Sequence, residues 1–91
     1  MDNELIQHLF RTEYRKIVTV LCKRMGFDQL ETAEDISSDT FLIAAQTWGL
    51  KGVPQNPVAW LYNVARNKTV SHLRREHLFE NKIIPELRSN A

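Results

Sequence analysis

Apolar residues recur over the first 25 positions at the spacing of an α-helix. They follow one another at steps of three or four: Ile6, Phe10, Tyr14, Ile17, Leu21 and Met25. This spacing places them on one helix face, which predicts a first helix over residues 3–25. Leu9, Val18 and Cys22 widen that face, and Gly26 is expected to end the helix. At a core position, Cys22 is expected to be a buried and unreactive thiol.

A second helix is predicted over residues 32–48. Its apolar line follows the same helical period: Ile36, Thr40, Ile43, Ala44 and Trp48. Thr32, with Asp35 three residues later, forms a variant of the capping box at the start. Gly49 follows directly and is expected to end the helix.

A third helix is predicted from Pro57 to Arg75 or Glu76, after a loop over residues 49–56. Asn56 can cap this helix, and Pro57 suits its first turn. Its apolar side carries Val58, Leu61, Val64 and Ala65. A helical projection places polar residues on the far side: Asn63, Arg66, Asn67 and Arg74.

These elements predict an all-α fold, a compact bundle of three main helices plus a short or frayed C-terminal helix. Glycine and proline number only three each in 91 residues, which favours long helices over a turn-rich sheet. We predict one domain over residues 1–76. Residues 77–91 are predicted to form a tail or the start of a linker to a second domain, with Pro85 interrupting any helix there.

No segment is apolar over the roughly 18 residues that span a membrane. The acidic start lacks the pattern of a secretory signal. Cys22 is the only cysteine, so a disulfide within the chain cannot form, as is usual in a reducing compartment. Together these features predict a cytoplasmic protein with no membrane partner.

Charge is divided between two adjacent segments of a nearly neutral chain. Residues 25–50 contain five acidic residues and no basic one, residues 51–75 contain five basic residues and no acidic one, and the net charge is +1. Two solvated helix faces would explain this division. It also suits a protein that binds a basic protein surface with one segment and a polyanion with the next.

The acidic segment places four carboxylates on one face of the second helix: Glu31, Glu34, Asp35 and Asp39. Their repulsion costs roughly 0.2–0.5 kcal/mol per pair, and no lysine or arginine in the predicted helix offsets it. A partner that supplies arginines would turn this cost into a gain, whereas a purely solubilising face is the alternative. Asp35 and Asp39 also form an i,i+4 carboxylate pair, but no histidine or second pair completes a metal or acid–base site.

The basic segment combines positive charge with aromatic and amide groups. Lys51 and Asn56 lie in a loop of small and rigid residues, and Trp60 follows it. Such groups suit single-stranded nucleic acid, whose bases stack and whose edges are open to hydrogen bonds, although Trp60 is expected in the core. Arg66 and Arg74 on the polar side of the third helix are candidates for phosphate contacts.

Recognisable catalytic and cofactor sites are missing from the sequence. His8, His72 and His77 share no metal-ligand spacing with Cys22 or with one another. There is no glycine-rich phosphate loop and no nucleophile elbow. We therefore expect no enzyme activity, no metal and no cofactor.

Several segments resemble bacterial sigma factors of the extracytoplasmic-function group. Residues 33–42, AEDISSDTFL, resemble the second conserved segment of that family. Residues 52–61, GVPQNPVAWL, followed by 64–67, VARN, resemble its promoter-recognition loop and helix, and residues 73–75, LRR, complete the pattern. The resemblance covers roughly residues 7–76.

The resemblance implies a sigma region 2 domain whose acidic helix packs on a coiled coil of the beta-prime clamp of RNA polymerase. It assigns polymerase binding to Glu34, Asp35, Ser38, Asp39, Phe41 and Leu42. In the family the loop captures a base flipped from the −10 promoter strand, and the third helix faces promoter DNA. The resemblance assigns DNA binding to Lys51, Gly52, Val53, Asn56, Asn63, Arg66, Asn67, Arg74 and Arg75. An anti-sigma factor is a further expected partner.

Three features depart from the family pattern. Ser38 stands where glutamine is usual, which would weaken part of the clamp contact, and Ser71 stands where aspartate is common. The family also carries a helix-turn-helix domain that recognises the −35 element. The sixteen residues after Arg75 are too few for it, so we expect a fragment of a longer factor rather than an unusual single-domain form.

Two alternatives accompany the leading prediction of a transcription initiation module that recognises and melts the −10 element. A duplex DNA-binding regulator of helix-turn-helix type would use the same basic helix, although Trp48 to Pro57 is long for its tight turn. A clamp-binding interaction module, such as a decoy or an anti-sigma protein, would use the acidic helix without promoter recognition.

Overall fold

Three long helices make up the fold. The computed structural model describes the backbone of residues 2–90 and the side chains of residues 4–77, and within the described backbone all regular structure is helical. The elements are α1 (Asp2–Met25), a 3₁₀ turn (Phe27–Gln29), α2 (Leu30–Lys51) and α3 (Pro57–Asn90). The predicted all-α class and three-helix bundle are confirmed.

Gly26 ends α1, as predicted. Its φ of 110° lies in a region that side chains disfavour, and its N–H donates to the Cys22 carbonyl at 2.7 Å. The chain then reverses through the 3₁₀ turn, so α2 returns antiparallel to α1. The start of α2 differs from the prediction, because the helix begins at Leu30 directly after this turn. Thr32 therefore lies inside the first turn and does not cap it.

The end of α2 also differs from the prediction. The helix continues through Gly49 and ends after Lys51. Gly52 terminates it instead, with a φ of 89° and an N–H that donates to the Trp48 carbonyl at 2.9 Å. The two glycines are only three residues apart and both follow the predicted helix, so periodicity alone could not tell which one leaves the helical conformation.

Asn56 caps α3 as predicted. Its side-chain Oδ1 accepts the Ala59 N–H at 3.1 Å, and its carbonyl accepts the Trp60 N–H at 3.0 Å. The side-chain bond satisfies one of the amide groups that the first helical turn leaves without partners, and the backbone bond is the first of the helix itself. The link between α2 and α3 is therefore held at both ends by ordinary helix-terminating contacts.

The third helix is longer than predicted and runs to Asn90. Residues 76–84 contain neither glycine nor proline, so nothing ends the helix at Glu76. The helical span includes Pro85, where the sequence predicted an interruption. The predicted domain boundary at residue 76 thus falls within α3, and packing of the tail's apolar side chains lies outside the described residues.

The core lies where the three helices meet. Its largest members with no more than 1% of their surface exposed are Ile17, Cys22, Trp48 and Leu61; the predicted burial of Cys22 is confirmed. Trp48 and Trp60 pack edge to face, with ring centroids 5.2 Å apart, and Trp60 belongs to the partly buried shell of the core, as expected.

Three buried hydroxyl groups lie among these apolar side chains. Ser37, Thr40 and Thr69 donate to the carbonyl four residues earlier in their own helices, at 2.8, 2.8 and 2.9 Å. Their polar atoms are therefore satisfied without any partner on a neighbouring helix.

Candidate functional site

The four carboxylates of Glu31, Glu34, Asp35 and Asp39 are all exposed on α2, and we call them the acidic face. Ser38 is exposed between them, and Leu42 follows with 58% of its surface exposed. Within residues 4–77, the close contacts between basic and acidic side chains lie elsewhere: Lys16 pairs with Glu13, and His72 Nε2 lies 3.2 Å from Glu76 Oε1. The acidic face thus presents unneutralised charge to solvent.

Phe41 is placed differently from the other residues assigned to polymerase binding. It is only 5% exposed. Its ring lies 5.2 Å from the ring of Phe10, edge to face, and 6.3 Å from the ring of Tyr14. Phe41 therefore joins α1 to α2, and any effect on docking would pass through the rings that cover it.

Tyr14 connects α1 directly to the acidic face. Its hydroxyl lies 3.4 Å from the backbone carbonyl oxygen of Glu34 and 3.4 Å from Ser38 Oγ. The hydroxyl donates to the carbonyl and can accept from the serine. This bridge fixes the position of the exposed α2 surface relative to α1.

The loop over residues 52–56 lies at the opposite end of α2 from the acidic face. Lys51, Gly52 and Asn56 are exposed, and Val53 is 38% exposed. Lys51 is the last residue of α2 rather than part of the loop. Asn56 Oδ1 accepts the bond that caps α3. The amide N–H groups on its Nδ2 therefore remain available to donate to a ligand.

The DNA-binding residues assigned to α3 are all exposed: Asn63, Arg66, Asn67, Arg74 and Arg75. Four of these five residues, all except Arg74, line two grooves. A groove of about 390 Å³ between α2 and α3 contains Asn67 and Arg75 together with Asp39. It also contains Lys68, which the sequence analysis had not singled out. Within the described residues, no ion pair joins Asp39 to either cation.

A second groove, of about 230 Å³, lies between α1 and α3. It brings Asn63 and Arg66 together with Arg24 and Tyr62. Burial raises the pKa of the Tyr62 hydroxyl, and the nearby Glu13 carboxylate raises it further. Arg24 was missed because it lies in α1, and only the helix packing brings it beside the basic segment.

The described residues contain no cluster of histidine, cysteine or acidic side chains able to hold a metal ion. In the same part of the chain, none of the helices has the length and hydrophobicity needed to cross a bilayer.

An all-α bundle that exposes an acidic helix face beside a basic loop and helix has the surfaces of a module that binds both protein and nucleic acid. The sigma-70 region 2 family matches residues 9–78. This is more than half of the chain, and the chain therefore belongs to that family. Comparisons with curated proteins and with solved structures gave no significant match.

Family membership defines the role of the domain in general terms. Sigma-70 region 2 functions in RNA polymerase binding and in recognition of the promoter −10 element. The family consists of transcription initiation factor domains rather than enzymes. Its partners are the polymerase core and promoter DNA.

Proposed function

We propose that this domain is region 2 of an extracytoplasmic-function sigma factor, which docks on the beta-prime clamp through α2. In this proposal the loop and α3 hold the non-template strand of the −10 element after local melting. The function places the protein in the cytoplasm, with an anti-sigma factor as a further partner. The observation that carries the proposal is the exposure of an acidic surface on the first half of α2 and of a basic surface formed by the end of α2, the loop and α3.

The acidic face supports docking on a basic partner. Its carboxylates repel one another along α2, and within the described residues no ion pair relieves them. A basic coiled coil would supply charge-assisted hydrogen bonds to these groups. Leu42, with 58% of its surface exposed, offers apolar contact at the end of the same face.

The loop and α3 support binding of an opened DNA strand. Flipping a base out of the duplex costs a few kcal/mol, so the protein must supply contacts that only the opened strand can make. Lys51 and Arg66 provide positive charge for phosphate groups. In the exposed loop, Val53 provides apolar contact and the Asn56 side-chain amide provides hydrogen-bond donors.

Charge reversal on α2 tests the docking half of the proposal. Asp35→Lys combined with Asp39→Lys should weaken binding to an isolated beta-prime clamp coiled coil by tenfold or more, about 1.4 kcal/mol, because attraction becomes repulsion. Isothermal titration calorimetry measures the affinity. The control combines Glu4→Lys with Glu76→Lys, which changes the net charge equally at exposed positions outside α2.

The control pair should change the affinity less than twofold. If both pairs weaken binding equally, only the net charge matters and the acidic face is not the docking site. If the unchanged protein does not bind the coiled coil at all, the proposed docking is wrong.

A helix-turn-helix regulator remains the principal alternative, because α3 carries exposed basic residues that could also contact duplex DNA. That protein would bind duplex −10 DNA more tightly than the separated non-template strand. A clamp-binding module without promoter recognition would bind neither form measurably while retaining the clamp affinity.

A further inference from the structure

The groove between α1 and α3 brings guanidinium groups from two different helices to one surface. Arg24 lies in the last turn of α1 and Arg66 lies in α3, and both line the groove. Both residues are exposed. Leu21 and Ala65, which are only 3% and 1% exposed, form the apolar base of the groove. Exposed positive charge is thus combined with a buried apolar base.

The positive charge of this groove is not offset by a neighbouring acid. Among the described side chains, neither Arg24 nor Arg66 forms an ion pair, and no acidic residue lines the groove. Burial and then the Glu13 carboxylate raise the pKa of the Tyr62 hydroxyl. That carboxylate is not part of the groove lining, however, and lies 3.7 Å from Lys16 Nζ. Two like charges therefore share one surface, which costs free energy until an anion lies between them.

A phosphodiester is the anion that this arrangement suits. A guanidinium group can donate two parallel hydrogen bonds to phosphate oxygens, so arginines from two helices can hold one phosphate between them. Asn63 and Tyr62 add polar groups to the lining. At about 230 Å³, the groove is smaller than the roughly 300–1,000 Å³ of pockets that enclose a whole small ligand. This size favours one unit of a longer strand.

The groove continues the surface that is proposed to hold the opened strand. Asn63 and Arg66 both lie on the exposed side of α3, and Asn63 is the nearer of the two to the loop along the helix. Arg66 lies about 15 Å along α3 from Asn56, at a rise of 1.5 Å per residue. An acidic protein segment would carry the same charge, but only the strand already has a proposed position next to this groove.

We propose that the groove between α1 and α3 binds one phosphate of the non-template strand through Arg24 and Arg66 together. This inference rests on the proposed binding of the opened strand and extends the path of that strand from the loop and α3 onto α1. Arg24 is thereby a DNA-binding residue outside the basic segment. It contacts the backbone and not a base, so it adds affinity without sequence preference.

Two neighbouring cations at the end of α1 provide a matched comparison. Lys23 and Arg24 are both exposed in the last turn, so alanine at either position removes one charge from the same helix end, but only Arg24 lines the groove. Arg24→Ala should weaken binding to the separated non-template −10 strand roughly three- to tenfold. It should also reduce the log–log salt slope by about 0.7. Lys23→Ala should change neither quantity.

A lysine variant separates charge from geometry at the same position. Arg24→Lys should keep the salt slope, because the charge remains. It should still weaken binding by about twofold, because an ammonium group cannot form the paired hydrogen bonds of a guanidinium. Filter binding over a range of salt concentrations measures both quantities, and circular dichroism confirms that each variant keeps its helices.

Neutralising single phosphates of the strand then identifies the contact. Each phosphate in turn is replaced by an uncharged methylphosphonate. The affinity of each strand is measured with the unchanged protein, with Arg24→Ala and with Arg66→Ala. At one position, the neutral linkage should make both substitutions nearly without effect, which is the signature of a shared interaction.

The outcomes distinguish this inference from the proposed function. If Lys51→Ala reduces the salt slope but Arg24→Ala does not, strand binding at the loop stands and the role of the groove is wrong. Equal effects of Arg24→Ala and Lys23→Ala would mean that only the charge at the end of α1 matters. Effects of Arg24→Ala and Arg66→Ala that disappear at different phosphates would show that the two arginines share no site. If the unchanged protein does not bind the strand, the proposed strand binding is wrong as well.

Discussion

The three glycines of this chain occupy two different backbone environments. Gly26 and Gly52 adopt positive φ angles of 110° and 89°, whereas Gly49 lies inside α2 with open space around the position of a Cβ atom. A Cβ atom at Gly26 would lie 2.6 Å from Asp28 Oδ1. Alanine should therefore have opposite effects at the helical glycine and at the helix terminus.

Gly49→Ala should stabilise the domain by about 0.5–1 kcal/mol, because alanine loses less backbone entropy in a helix. Gly26→Ala should destabilise it by about 1–3 kcal/mol, because of the strained φ. Urea denaturation followed by circular dichroism measures both changes. A loss of stability in Gly49→Ala would mean that α2 ends at residue 48, as the sequence alone predicted.

The sequence predicted individual residues well where one local pattern decides their environment. The burial of Cys22 and the shared exposure of Asp35 and Asp39 follow from helical spacing alone. The burial of Phe41 under the rings of Phe10 and Tyr14 did not follow from it, because that environment is created by a neighbouring helix. Periodicity assigns a residue to a face, but it does not show how far the opposite helix covers that face.

At the scale of the helices, the prediction succeeded or failed at the residues where each helix begins and ends. The start of α3 was predicted because an Asn-Pro pair specifies a cap and a first turn. The start of α2 was not, because the 3₁₀ turn continues into the helix without a side-chain cap. The end of α3 was placed too early because the helical pattern weakens after Glu76, while the chain itself has no glycine or proline from there until Pro85.

Asn56 permits a test that separates the cap from the proposed DNA contact. Asn56→Ala should cost about 1 kcal/mol of folding stability through loss of the bond to the Ala59 N–H. Asn56→Asp should retain the stability, since aspartate caps equally well and its charge favours a helix N-terminus. The same aspartate should weaken DNA binding, because it removes the amide donor and adds a negative charge to the loop.

Thermal unfolding and DNA titration of both Asn56 variants provide the two measurements. If Asn56→Asp binds single-stranded −10 DNA as tightly as the unchanged protein, the role of Asn56 is limited to capping α3.

At the scale of the whole molecule, the near-neutral net charge is the sum of opposite charges on two surfaces, the acidic face of α2 and the basic loop and α3. The net charge is +1, so general attraction to a polyanion is weak. Affinity for DNA must instead come from the basic loop and α3. Sequence order alone did not predict every basic residue near α3, because helix packing brings Arg24 of α1 into the groove between α1 and α3.

Binding to the single non-template strand should therefore be modest and sensitive to salt. Each phosphate contact contributes about −0.7 to the log–log slope of affinity against salt concentration. Lys51→Ala and Arg66→Ala should each reduce the slope by about that amount, whereas Lys16→Ala, at a side chain 67% exposed on α1, should not. Filter binding between 50 and 200 mM salt measures the slope; equal slopes for all three variants would contradict the proposed contacts.

The two tryptophans allow ligand binding at the loop to be followed by fluorescence. Trp48 lies one helical turn before Gly52, and Trp60 lies one turn after Asn56, so the two rings in contact stand at the two ends of the loop. They are also the only two tryptophans in the chain. Tryptophan emission thus comes entirely from the base of the loop, and a ligand that shifts either end changes the signal without any attached dye.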